Sequence, residues 1–141
     1  MKTFQLKTYR PKTSYAQARF FILSKGMNSG KPLKEPCPNC FVCLTPTEKD
    51  REYWYWLCLG LWHGRVFHYY LRGSVIPFIT LGELKECLQE NERRIRCQNP
   101  TLEKYIQALK LLEVQEQKAK GTLEMIDTAR QALFYKMMRV K

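Results

Sequence analysis

The sequence predicts an α+β fold: a small mixed domain of short strands and helices over residues 1–96, then a long helix or helical hairpin of coiled-coil character over 97–141. Three observations predict it. Up to residue 96, short apolar runs bounded by Pro, Gly and Asn alternate with stretches that open on helix caps. From Pro100 on, apolar residues recur in steps of three and four, the helical period. The 141 residues, 45% apolar and 13% aromatic, supply one packed core and leave no room for a second full domain.

Phe4-Gln5-Leu6-Lys7-Thr8-Tyr9 alternates like a half-buried strand with Phe4 and Leu6 on one face, and Pro11 ends it. Residues 16–23 read two ways: Ala16 and Ala18 suit a helix, while Phe20-Phe21-Ile22-Leu23 suits a buried strand. Lys25-Gly26-Met27-Asn28-Ser29-Gly30-Lys31-Pro32 is a loop rich in residues that tolerate positive φ. Phe41-Val42-Cys43-Leu44 reads as a core strand closed by Thr45-Pro46. Thr47, with Asp50 three residues on, caps a helix through Tyr53, Trp54, Leu57 and Leu61, whose apolar residues nearly surround its axis and imply burial on most sides. Val66, Phe67, Tyr69, Tyr70 and Leu71 make a further helical turn that stops at Gly73. Residues 74–79 are extended, and Pro77 confines them to a sheet edge or a turn. Thr80 and Glu83 form a capping box, stapled by Ile79 and Leu84, for a short helix ending near Gln89. Asn99 as N-cap and Pro100 as first residue then open the last helix.

In that helix Leu102, Tyr105, Leu109, Leu112, Ala119, Leu123, Ile126, Leu133 and Met137 form a heptad-like seam, interrupted at Glu116 and Arg130. About forty helical residues extend about 60 Å, more than a domain of this size covers, so part of the seam needs a partner. Two arrangements supply one. The chain folds back on itself at Gly121, or two chains pair through Leu102, Tyr105, Leu109, Leu112, Leu123, Ile126 and Leu133 as a homodimer.

No segment has the continuous apolar core of an export signal or the roughly 20 apolar residues of a membrane span. The expectation is a cytoplasmic protein with no membrane partner, whose six cysteines are thiols or metal ligands rather than disulfides. The net charge of +11 is uneven. Residues 1–34 hold eight cations (Lys2, Lys7, Arg10, Lys12, Arg19, Lys25, Lys31 and Lys34) and no acid, whereas the remainder holds sixteen cations and thirteen acids. Such a segment attracts a polyanion, because each phosphate contact releases condensed counterions, provided the cations fold onto one face.

Cys37-Pro38-Asn39-Cys40-Phe41-Val42-Cys43 has the C-x-x-C spacing of half a zinc site. If residues 41–44 are a strand, Cys40 and Cys43 point to opposite faces and no second knuckle completes the set, so no metal and no cofactor are expected. Catalysis has little to work with. No Walker loop, nucleophile elbow or H-E-x-x-H occurs, and the acids up to residue 83 are Glu35, Glu48, Asp50, Glu52 and Glu83, which form no nuclease-like cluster. His68 lies among aromatics and reads as packed. Tyr53-Trp54-Tyr55-Trp56 is able to stack bases, but aromatics on a two-faced helix are more often core: Trp54 and Leu57 read so, with Tyr53 and Trp56 open.

The Asn28-Ser29-Gly30-Lys31 loop before a strand, the aromatic helix after Pro46, the run Gly73-Ser74-Val75-Ile76-Pro77-Phe78-Ile79, the capped helix that follows and Pro100-Thr101-Leu102-Glu103 opening a long helix come in a telling order. Over roughly residues 20–139 that order resembles the target-recognition domain of type I restriction-modification specificity subunits. The resemblance implies half a specificity subunit: a DNA reader, two copies of which, paired through their long helices, restore the whole. Cys97-Gln98-Asn99-Pro100 stands where the family carries a proline-rich, double-Glu run, which weakens the implied recruitment of a methyltransferase subunit. The leading expectation is a non-enzymatic, homodimeric DNA-binding protein that meets phosphates through Lys7, Arg10, Lys12, Lys25, Lys31 and Lys34, with Asn28 as a base reader. The alternatives are a protein-interaction module with the same fold, and a small metal-binding module.

Overall fold

The computed structural model describes residues 2–139 and has the α+β architecture expected. Four strands, β1 (Gln5–Thr8), β2 (Ala18–Leu23), β3 (Pro32–Leu33) and β4 (Cys40–Thr45), form one antiparallel sheet in the order β1-β4-β2-β3. Three α-helices follow, α1 (Glu48–His63), α2 (Leu81–Gln98) and α3 (Leu102–Met138), with a 3₁₀ helix at Val66–Tyr70 between the first two. Contacts divide the chain into two units, Met1–Ile106 and Gln107–Lys141. The division falls later than residue 96, since Leu102 and Ile106 at the start of α3 are buried and belong to the first unit.

Residues 18–23 take the strand reading, because a central strand is buried on both faces and its apolar residues need not alternate with polar ones. β4, between β1 and β2, has all six residues buried. Its register sorts the sheet. Val42 pairs with Lys7 on one side and Phe21 on the other, so these three share a face with Cys40 and Leu44, while Phe20 and Cys43 share the opposite one. α1 covers the second face, where the Tyr55 ring meets Phe20 edge to face at 5.6 Å. Tyr9, Tyr15, Leu33 and Cys37, all partly buried, close the first face over Phe21, Cys40, Val42 and Leu44.

The cap on α1 forms as its sequence requires: the Thr47 hydroxyl accepts from the Asp50 amide at 3.1 Å. Tyr53, Trp54, Tyr55 and Trp56 are all buried, so the whole aromatic run is core, each such side chain contributing about 1.5–3 kcal/mol or more. The sheet takes one side of the helix, and Phe4 packs on Trp54 at 4.5 Å from another.

α2 runs to Gln98 rather than stopping near Gln89. Its buried stripe of Leu84, Cys87 and Leu88 continues one turn on through Glu92, a charged residue at an inward position, and so looks broken in the sequence. Glu92 is only 6% exposed, and its Oε1 accepts from both the Tyr53 hydroxyl at 2.8 Å and Arg96 Nε at 2.9 Å. Asn99 also differs from expectation: its side-chain amide donates to the Ile95 carbonyl at 2.9 Å, closing α2, and α3 begins only at Leu102.

Gly30 has φ +96, and a Cβ there would lie 2.3 Å from the Phe67 ring, which fills the space against the loop. Phe67 is the buried residue of the 3₁₀ helix; His68, expected to be packed, is exposed.

α3 is thirty-seven residues long and unbroken at Gly121, so the hairpin alternative does not form. A glycine inside a helix costs about 1 kcal/mol against alanine, too little to end one. No described residue of the second unit is buried, and Leu112, Leu123, Ile126 and Leu133 of the expected seam are all exposed. Tyr105 is exposed as well, and Leu109 is half-buried. Leu102 is the exception, because its side chain is taken up inside the first unit. No described helix is long and apolar enough to cross a membrane.

Candidate nucleic-acid interface

The segment between β1 and β2 contains the turn Arg10-Pro11-Lys12-Thr13, in which the Thr13 amide donates to the Arg10 carbonyl at 3.2 Å. Pro11 suits the second position of such a turn, and the third position calls for glycine because φ there is positive. Lys12 occupies it instead, at φ 72. A non-glycine residue in this conformation costs on the order of 1 kcal/mol, and such strain concentrates at sites where the side chain is needed.

Beyond the turn, the Arg19 guanidinium donates to the carbonyls of Tyr15 at 3.1 Å and Gln17 at 3.3 Å, which pins the returning chain. The result is an open cavity of about 670 Å³ whose charged lining is Lys12, Arg19, Lys34 and Arg51 with Glu35 and Glu48. Arg51 is held between Glu48 at 2.6 Å and Glu52 at 2.9 Å, so its charge is largely met. The balance stays positive, carried by Lys12, Arg19 and Lys34.

The seven residues expected to meet DNA therefore do not gather on one face. Lys12 and Lys34 share the cavity; Lys7 stands on the same sheet face at the Val42 position, and Arg10 opens the turn. Lys25, Asn28 and Lys31 belong to the β2–β3 loop and none of them lines the cavity. That loop is tied elsewhere: Lys25 bridges to Phe78, and the Gly26 amide donates to the Pro77 carbonyl at 2.7 Å. Asn28 is exposed at the tip, its carbonyl accepting from the Lys31 amide at 3.0 Å. The ammonium groups of Lys31 and Lys34 lie over α1 rings, 5.0 Å from Trp62 and 5.9 Å from Tyr55. The physical reason for the split is the sheet, which sends residues 9–17 across its first face and leaves 24–31 bonded to the segment around Pro77.

Two cavity cations were not singled out from the sequence. Arg19 lies two places before Phe21 on an alternating strand, which puts it on the same face, a signal present in the period alone. Arg51 is three residues after Glu48 in the first turn of α1, a spacing that marks an exposed helix face.

The cysteines sort by burial. Cys43 faces α1 while Cys40 faces the other side, as strand geometry demands. Desolvation pushes the Cys43 and Cys58 thiols well up and the Cys87 thiol up to about 11. Tyr53 is also raised, by burial and then by its hydrogen bond to Glu92. Among the described residues no group of three or more His, Cys, Asp and Glu is placed to hold a metal ion.

A family model matches residues 6–136, nearly the whole chain and both of its units. This chain belongs to DUF6943, a family of unknown function. No curated protein and no solved structure matches it. The family match spans the sheet, the cavity cations and almost all of α3, so these features fall inside the family's own bounds.

Proposed function

We propose that this chain is a non-enzymatic DNA-binding protein, similar to half of a type I specificity subunit, that pairs as a homodimer through the exposed apolar residues of α3. The observation that carries the reading is the cavity in which Lys12, Arg19 and Lys34 outweigh the acids beside them, with Lys12 held in a conformation that favours glycine. A turn that holds a lysine at the surface suits a phosphate contact, and neighbouring Lys7 and Arg10 extend the same side. The β2–β3 loop with Lys25, Asn28 and Lys31 is a second, separate contact in this reading. Methyltransferase recruitment is no part of it.

Duplex DNA binding followed by fluorescence anisotropy across a salt series tests the proposal. Three to five phosphates neutralised give a log–log slope of roughly −3 to −4.5. Lys12→Gly separates function from folding: it relieves the turn, leaving stability unchanged or higher by about 0.5–1 kcal/mol, yet lowers affinity. Absence of binding at low salt, or binding indifferent to salt, overturns the reading. The exposed apolar residues of α3 favour a second reading, a protein-interaction module without a DNA role, and DNA binding that is absent while self-association persists would select it.

A further inference from the structure

We infer that Cys37 and Cys40 form a redox-active dithiol, a site of oxidation by low-molecular-weight disulfides, independent of whether the protein binds DNA. The two residues close a tight turn at the start of β4: the Cys40 thiol donates to the Cys37 carbonyl at 3.0 Å, and the Cys37 amide donates to Cys40 Sγ at 3.5 Å. The turn is rigid. Pro36 and Pro38 flank Cys37 and fix φ on both sides of it, while the Asn39 carbonyl accepts from Ser24 at 3.0 Å and the Cys40 carbonyl from Tyr9 at 3.2 Å. A pair of sulfurs held this way loses little freedom on bonding, which favours an intramolecular disulfide over a mixed one.

The two cysteines differ as a reacting pair must. Cys37 is half-buried and open to a reagent, whereas Cys40 is 3% exposed and its thiol is pushed up to about 11, first of all by burial. Cys37 therefore reacts first. Its thiol loses a proton to solvent, and the thiolate attacks one sulfur of a small disulfide, breaking that S–S bond, forming a mixed disulfide and releasing one thiolate. Cys40 then gives up its proton and attacks Cys37 Sγ, forming the Cys37–Cys40 bond and releasing the second thiolate. Two protein thiols are oxidised and the small disulfide is reduced to two thiols. The other cysteines lack this arrangement: Cys43, Cys58 and Cys87 are buried, and Cys97 is exposed near the end of α2, remote in sequence from the turn.

The test uses the full chain with Cys97→Ser, equilibrated in graded ratios of oxidised to reduced glutathione, alkylated and mapped by mass spectrometry. The expected result is a Cys37–Cys40 disulfide appearing as the ratio rises, with Cys43, Cys58 and Cys87 staying reduced. Cys40→Ser should accumulate glutathione on Cys37, and Cys37→Ser should leave Cys40 unmodified. The inference is overturned if Cys37 stays reduced under excess glutathione disulfide, or if the disulfide found joins two chains. The mapping of the parent protein decides this even if a variant fails to fold.

Discussion

Trp54 and Leu133 are both large and apolar, but the first is 2% exposed and the second 62%. The two units differ in just this way. The first buries its aromatic helix between a sheet, α2 and Phe4, and hydrogen-bonds the buried Glu92 carboxylate through Tyr53. The second is a single helix with no buried residue among those described, and helical propensity alone holds a helix only marginally. The difference teaches that one unit carries its stability internally, while the other leaves its apolar residues exposed and, under the proposed pairing, would gain stability by association.

The largest effect that sharpens this comparison is in the core. Trp54→Ala should cost about 3–5 kcal/mol in urea unfolding and Gly30→Ala at least about 2, since the added Cβ meets Phe67 in a backbone conformation that already disfavours it. Leu133→Ala should change the unfolding of the first unit by less than about 0.5 kcal/mol, and an equal cost at the two sites would break the contrast. Next is association. Replacing Leu112, Leu123, Ile126 and Leu133 together by serine should turn a dimer into a monomer in light scattering and abolish any dependence of α3 melting on protein concentration. If the parent chain is already monomeric at high concentration, the pairing proposal fails.

A smaller effect lies in alkaline pH. Burial raises the Cys87 thiol to about 11 in the folded chain, above its value near 9 when unfolded, so its neutral form favours folding below pH 9 and that advantage disappears as pH rises toward 11. The loss is at most about 2–3 kcal/mol. Cys87→Ala should lower stability at neutral pH yet flatten this slope, which a denaturation series at pH 8, 9 and 10 reads directly. The smallest effect is in α3, where Gly121 has open space around it and helical φ. Gly121→Ala should stabilise the helix by about 0.5–1 kcal/mol, seen as higher ellipticity, with no change in the first unit.

Local signals made much of the fold legible. The Thr47 and Thr80 caps and the core strand at 41–44 rest on chemistry within a few residues and stand in the structure as read, while the loop read over 25–32 gives up Pro32 to β3. What failed depended on tertiary partners. Glu92 ends an apolar stripe on paper, and only Tyr53 from α1, thirty-nine residues earlier, makes it a buried position. Asn99 has the composition of a helix start, yet its side chain turns back to the helix it follows. The candidate site was half legible for the same reason: counting cations found Lys12 and Lys34, but a count does not show that Arg19 and Arg51 join them in one cavity while Lys25 and Lys31 do not.

β3 has two residues, the first of them Pro32, and it forms one border of the sheet; β1, the other border, has four and carries an exposed Lys7. A proline-led stub and a charged short strand are poor templates for another chain's backbone. Ladder-like growth from strand to strand is thereby discouraged, and whatever assembly this protein undergoes is steered away from open-ended sheets toward a finite union of side chains.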